Sequence, residues 1–171
     1  MTIRIESYAA HHRNSLIEMI LEIQQDEFNL PITYGEQKDL HDISAAYRVG
    51  AGQFWVAQAP NTLPDHVVGS LGLHDMGTDG VGKRVGALRK MFVRKDFRGG
   101  GEQGAAALLL KTLEEHCRRH GIVALYLGTT EAFKAAHRFY QKRGYTPMSA
   151  DDLPENFVRL AVDTRFYTKA L

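Results

Sequence analysis

L-R-K-M-F-V-R-K-D-F-R-G-G-G-E-Q-G-A-A, residues 88–106, is the stretch from which the fold is read. Residues 88–93 predict a strand that ends in a basic turn at Arg94 and Lys95. After Arg98 come Gly99, Gly100 and Gly101, then Gln103, Gly104 and an Ala/Leu-rich helix that begins at Ala105. A turn of this kind aims several backbone N–H groups at one point, and the helix start adds its unpaired donors and the positive end of its dipole. Together they predict an anion site, most naturally for phosphate. Ala105, Ala106 and Ala107 are small enough to let a ligand or the sheet come close.

Upstream of this turn, residues 2–8 alternate apolar and polar side chains and predict a first strand. Residues 11–28 carry Leu16, Ile20 and Ile23 at helical spacing, and Asn29-Leu30-Pro31 ends that helix. A weaker helix is expected over 37–49, a strand over 53–59 and a turn over 60–65. A strand over 66–76 then leads into a glycine-rich hairpin turn over 77–82. Downstream, the helix over 104–120 should turn Leu109, Leu110, Leu113 and Cys117 inward and Lys111, Glu114, Glu115 and Arg118 outward, with Gly121 as its C-cap. Residues 122–127 are fully apolar, as in a strand covered on both faces. A helix over 131–143 closes at Gly144, and residues 158–168 predict the last strand. The order β-α-α-β-β-β-α-β-α-β-β gives one α/β domain over 1–171, with a mixed, mostly antiparallel sheet flanked by helices on both faces. The strand–helix–strand unit around Arg98 must pair in parallel.

Composition narrows the function. The chain has 171 residues, 24% of them charged, and a net charge of +1, so no bulk basicity suggests nucleic acid. The longest apolar run, residues 105–110, is far too short for a bilayer, and residues 1–6 carry no signal-peptide pattern. A single cysteine excludes an internal disulfide and suits a cytoplasmic protein. Cys117 reads as a small core hydrophobe. His116 and His120 stand at a spacing that can hold a metal, but they lack an adjacent acid and are expected to face solvent; no metal is expected.

Two interpretations of the glycine turn compete. Gly99, Gly101 and Gly104 spell G-x-G-x-x-G, the dinucleotide fingerprint. Arg94 to Arg98 separate these glycines from the strand, however, and the next strand ends in Gly128-Thr129-Thr130 rather than in an acid. Alternatively, the stretch resembles the coenzyme A site of the GCN5-related N-acetyltransferases (GNAT), whose pattern is Arg/Gln-x-x-Gly-x-Gly/Ala at a strand-to-helix junction. Arg98 fills the first slot and Gly101 the fourth; the last falls on Gln103, with Gly104 one residue later. A-A-H-R-F-Y-Q-K-R-G-Y also resembles the family's closing A-x-x-x-Tyr-x-x-x-Gly-Phe, through Ala136, Tyr140, Gly144 and Tyr145. An Asn common in the family, three residues before that Ala, is replaced by Phe133.

The resemblance covers nearly the whole chain and implies a function. Acetyl-CoA would be the co-substrate. Its diphosphate would lie on the amides from Gly99 to Ala105, including Gly100, Gly101, Gln103 and Gly104, beside Arg98. Its pantetheine arm would pair with Met91, Phe92 and Val93 almost as an added strand, and the Val93 N–H would meet the thioester carbonyl. Tyr140 stands in the slot of the Tyr that protonates the leaving thiolate. The strand acid that serves many relatives as base is absent, leaving His74, Glu27 or a water chain. The acceptor groove would include Gln24, Gln25, Asp26, Glu27, Phe28, Tyr34 and Trp55. A small-molecule amine is the expected partner, with no nucleic acid and no membrane, and a homodimer is compatible with the family. The alternative function is a non-catalytic acyl-CoA-binding regulatory module.

Overall fold

The computed structural model describes residues 2–60, 62, 63 and 65–171; Asn61 and Pro64, in the turn expected over 60–65, lie outside them. Seven strands form one open sheet: β1 (Arg4–Ser7), β2 (Gln53–Gln58), β3 (Gly69–Thr78), β4 (Arg84–Val93), β5 (Ala124–Thr129), β6 (Thr146–Met148) and β7 (Arg165–Ala170). Their order is β1-β2-β3-β4-β5-β7-β6. Every neighbouring pair is antiparallel except β4 and β5, which are parallel, as the expected crossover requires.

Helices cover both faces. On one face lie α1 (Arg13–Leu21) and α2 (Ile43–Tyr47), which bury Leu16, Met19, Ile20 and Ile43 against Phe54 and Val56. On the other lie α3 (Ala105–Arg119) and α4 (Lys134–Lys142), with Leu109, Leu113, Cys117 and Tyr140 against Trp55, Leu71 and Leu125. The long first helix expected from the pattern holds its register only to Leu21. A π-helical turn, Glu22–Glu27, continues it and carries Gln24 inward. Such turns insert an extra residue into the helix and recur at functional sites. The second helix shortens to Ile43–Tyr47 behind a 3-10 turn at Lys38–Leu40.

Three side chains or segments depart from the pattern-based expectation. The last strand starts only at Arg165; residues 158–164, expected as strand, run as a loop whose neighbour Phe157 joins Ala87 and Phe166 in a third apolar cluster. Glu114 turns inward: it is 8% exposed, where Lys169 Nζ donates to both its oxygens at 2.8 and 3.0 Å and the Tyr145 hydroxyl donates at 3.0 Å. That ion pair lets a carboxylate sit in an apolar helix face. His116 is half-buried and shares a 2.7 Å hydrogen bond with the Ala51 carbonyl. No group of three His, Cys, Asp or Glu suited to a metal occurs among the described residues, and none of their helices is long and apolar enough to cross a membrane.

The sheet is irregular at one place that matters for the site. Ser70 pairs with Phe92, but Gly72 pairs with Arg89, so β4 carries one residue more than β3 between these points. Lys90 absorbs it with φ +51°, a left-handed conformation that is uncommon for a non-glycine residue. The buried Ser70 hydroxyl donates to the Lys90 carbonyl at 2.7 Å and pins the bulge. Beside it, Gly72 leaves room for the Tyr47 ring, whose Cε1 would lie 2.5 Å from an added Cβ. Gly72→Ala should therefore cost about 1–3 kcal/mol by overpacking, read as a lower melting temperature in calorimetry. An unchanged melting temperature would mean that the ring shifts freely.

Candidate active site

β4 and β5 pair over only three positions, Val85–Ala124, Gly86–Leu125 and Ala87–Tyr126. Beyond Ala87 they part: β5 continues against β7 to Thr129, while the β5-facing edge of β4 is left without a strand. The Arg94 amide donates to the Val68 carbonyl at 2.9 Å. By the alternation of an antiparallel ladder, the Val93 N–H points the other way, into the gap. A cleft of about 400 Å³ occupies that gap. Met91, Phe92 and Val93 form one wall, Ala132 to Ala136 and Phe139 the other, and Arg98 and Gly99 the mouth. Its lining is predominantly apolar, so it suits a long, uncharged chain with a few amide groups.

At the mouth, Gly99, Gly100 and Gly101 all have positive φ, at 85°, 79° and 56°. The turn folds on itself so closely that a Cβ on Gly104 would fall on the Gly99 carbonyl oxygen. Gly100, Gly101, Gln103, Gly104 and Ala105 lie outside the cleft wall and form the turn at its mouth. The Gln103 and Gly104 amides are committed to Gly100 and Gly101 carbonyls, at 3.2 and 3.3 Å. The donors left for an anion are those of Gly99 to Gly101 and of the first turn of α3, whose internal bonding starts with Leu108 to Gly104 at 3.0 Å. The residue of extra length in the turn is thus spent on a tight 3-10 turn, Gly101–Gln103, ahead of the helix.

Arg98 is engaged within the protein. Its Nη2 donates to Glu27 Oε2 at 2.7 Å, its Nη1 donates to the other Glu27 oxygen, and its Nε donates to the Val93 carbonyl at 2.8 Å. The bidentate pair ties the π-helical turn after α1 to the end of β4. Glu27, one of the two side chains expected as base, therefore has its carboxylate taken up by Arg98. The other, His74, stacks on the Tyr47 ring at 4.4 Å. Burial, with Arg89 nearby, pulls its pKa down. Neither lines the cleft.

Tyr140 is buried on α4, with its ring against Tyr145 and Tyr167. It lines the cleft, and its hydroxyl has no hydrogen-bond partner among the described residues. Burial pushes the phenol pKa up, which keeps its proton in place. Phe133, where an Asn is common in GNAT proteins, packs edge-on against Phe28 at 4.7 Å and bridges α4 to the turn after α1.

A second cleft, of about 90 Å³, lies on the α1/α2 face of the parting and shares Met91, Phe92, Phe133, Ala136 and Tyr140 with the first. Its other walls mix apolar side chains, Leu30, Ile32, Leu88, Leu160 and Val162, with polar ones, among them Gln24, Arg89, Lys90 and Asp163. Arg89, Lys90 and Asp163 had no assigned role in the sequence. The signal for the first two, adjacent cations in an otherwise apolar strand, was present; Asp163 lies in a segment whose pattern reads as strand.

The sequence profile of the Acetyltransferase (GNAT) family matches residues 17–145. This chain belongs to the GNAT family. The GNAT-family acetyltransferase of Staphylococcus aureus Mu50 is 36% identical, with a TM-score of 0.87 over 98% of both chains. PaiA N-acetyltransferase of Thermoplasma acidophilum, whose structure contains coenzyme A, shares the fold at 14% identity, with a TM-score of 0.69 over 100% of both chains. N-acetylaspartate synthetase of Rattus norvegicus is 33% identical over 115 residues, 67% of this chain and 35% of that protein. The chain spans about a third of the length of the curated relatives it matches. Family membership supports acetyl transfer as the class of chemistry and makes the dinucleotide reading of the glycines untenable. For this GNAT protein, Gly104→Ala should open the turn and weaken coenzyme A by roughly tenfold or more, the loss of one charge-assisted hydrogen bond. Calorimetric titration measures it, and an unchanged Kd would show that the turn does not hold the diphosphate.

Proposed function

We propose that this GNAT protein transfers the acetyl group of acetyl-CoA to a primary amine by direct attack in a ternary complex. The observation that carries this is the parting of β4 from β5, which opens an unpaired strand edge onto a cleft with an anion-binding turn at its mouth. The residues fit the co-substrate by chemistry. An amide-containing arm satisfies the Met91 and Val93 edge as a strand would, and the apolar wall of Ala132 to Ala136 accepts its methylenes. The amides from Gly99 to Gly101 and at the start of α3 receive the diphosphate. Arg98 braces this turn through Glu27 and Val93.

In the reaction, the amine nitrogen forms a bond to the acetyl carbon and the carbon–sulfur bond breaks. The nitrogen gives up a proton and the sulfur gains one. Tyr140 supplies the latter from a phenol that burial keeps protonated. The Val93 N–H, fixed in the sheet, faces the position where negative charge develops on oxygen.

Two measurements test this. Acetyl-CoA should raise the melting temperature through mass action, and amines should release free coenzyme A. Tyr140→Phe keeps the ring packed, so acetyl-CoA affinity and stability should hold while turnover falls about 10²-fold. Acetyl-CoA binding with no turnover across a broad amine panel would favour the non-catalytic acyl-CoA-binding module instead.

A further inference from the structure

In a regular strand, Arg89 and Lys90 would point to opposite faces of the sheet. The bulge at Lys90 turns both to the α1/α2 face, where they line the second cleft. Arg89 is 8% exposed. Its Nη2 donates to the Val158 carbonyl and its guanidinium lies 4.8 Å over the Phe157 ring, while Nη1 stands 3.8 Å from Asp163 Oδ2, beyond a hydrogen bond. Most of its donors thus have no partner among the described residues and stay open to the cleft. Lys90 Nζ donates to Gln37 Oε1 at 2.7 Å and has Asp39 at 3.5 Å. Asp163 takes the Leu160 amide at 3.0 Å and lies against Gly128, at the β5 side of the parting. A guanidinium, an ammonium and a carboxylate therefore meet in one small chamber that opens on Tyr140.

We propose that this chamber is the acceptor site and that it takes a small amino acid, with its carboxylate on Arg89 and Lys90 and its amino group on Asp163. The proposal rests on the acetyl-transfer reading above. A side-by-side cation and anion are complementary to a zwitterion, whose ammonium and carboxylate are separated by one or two carbons. About 90 Å³ is several times the roughly 10–15 Å³ that one water needs, and far too little for a folded or extended polymer. Asp163 removes the proton of the bound ammonium and passes it to solvent. The neutral amine then forms the nitrogen–carbon bond as the carbon–sulfur bond breaks, and the proton it loses restores the one that Tyr140 gives to sulfur. Burial raises the Asp163 pKa against the opposing influence of Arg89, Arg159 and Lys90, so the carboxylate is a better base than an exposed one.

The test is steady-state turnover with small α- and β-amino acids, each beside its carboxamide and its decarboxylated amine, with acetyl-CoA binding measured separately by thermal shift. The amino acids should exceed their carboxylate-free partners in kcat/KM by roughly 10–100-fold. Lys90→Met and Arg89→Met should erase that preference by raising KM for the amino acid, with KM for acetyl-CoA unchanged. Lys90→Met guards against an Arg89 variant that fails to fold. Asp163→Asn keeps the bond to Leu160 and should lower kcat about tenfold or more near neutrality, with activity recovering as pH rises toward the amine's own pKa; a structural role would leave the pH profile unmoved. Equal or better use of the carboxylate-free amines, or acetyl-CoA binding without turnover of any amino acid, overturns the proposal and leaves the cofactor assignment standing. Loss of acetyl-CoA binding itself would fall on the acetyl-transfer reading.

Discussion

The structure depends on one backbone feature, the extra residue that Lys90 absorbs in the middle of β4. An interior strand normally spends its N–H and C=O groups on both neighbours, and leaving such groups unpaired out of water costs about as much as the hydrogen bonds they lack. Here the six-residue stretch past Ala87, residues 88–93, faces a gap instead of β5. The gap is sustained from outside the sheet. Arg98 and Glu27 hold the end of β4 to the turn after α1, Phe28 and Phe133 span the opening, and Ser70 holds the bulge itself. A sheet that closed normally would be more stable and would have nowhere to place a substrate.

The same bulge explains why charge is buried behind the sheet. Taking Arg89 and Lys90 out of water carries a desolvation cost that ion pairs only partly offset. The protein meets it with a network: Gln24 and Gln37 bond each other at 2.8 and 3.1 Å, Gln37 accepts from Lys90, and the Tyr47 hydroxyl donates to Asp39 at 2.6 Å. Apolar side chains of similar volume would fold at least as well there. Local rules broken at this expense gather at functional sites rather than in ordinary cores.

Most of the fold was legible in the sequence because its signals are local and periodic. The alternation in β1, the apolar stripe of α3 and the glycines at helix ends gave element order and sheet class. The Arg98–Gly104 turn and Tyr140 gave the family. Where the sequence fell short, the deciding contact was distant. Nothing near Glu114 announces that Lys169 and Tyr145 will receive it inside. The pairing of Arg98 with Glu27 is not legible locally because the two are 71 residues apart. The bulge is invisible because Lys90 is an unremarkable lysine whose left-handed backbone is imposed by Ser70 and by the strand register. Residues 158–164 carry strand-like composition, but Val158 and Leu160 stay exposed, and it is Phe157 just before them that packs on Ala87 and Phe166.

The two clefts divide the chemistry by polarity. The larger one is apolar and backbone-lined, which suits an arm that is long, flexible and uncharged, and it delivers a charged end to the glycine turn outside. The smaller one sets two cations and a carboxylate among apolar side chains and suits a compact charged partner. Their common wall is Met91, Phe92, Phe133, Ala136 and Tyr140, so in the proposed reaction a group carried in along one and a nucleophile held in the other would meet beside Tyr140. That position is lined largely by apolar side chains, which strengthens the fixed dipole of the Val93 N–H, while burial raises the phenol pKa. A wetter junction would screen the first and lower the second. The apolar ring of Phe133, in place of an amide that would draw water to the junction, therefore belongs to the same design as the bulge: both keep the meeting point of the two clefts free of competing hydrogen bonds.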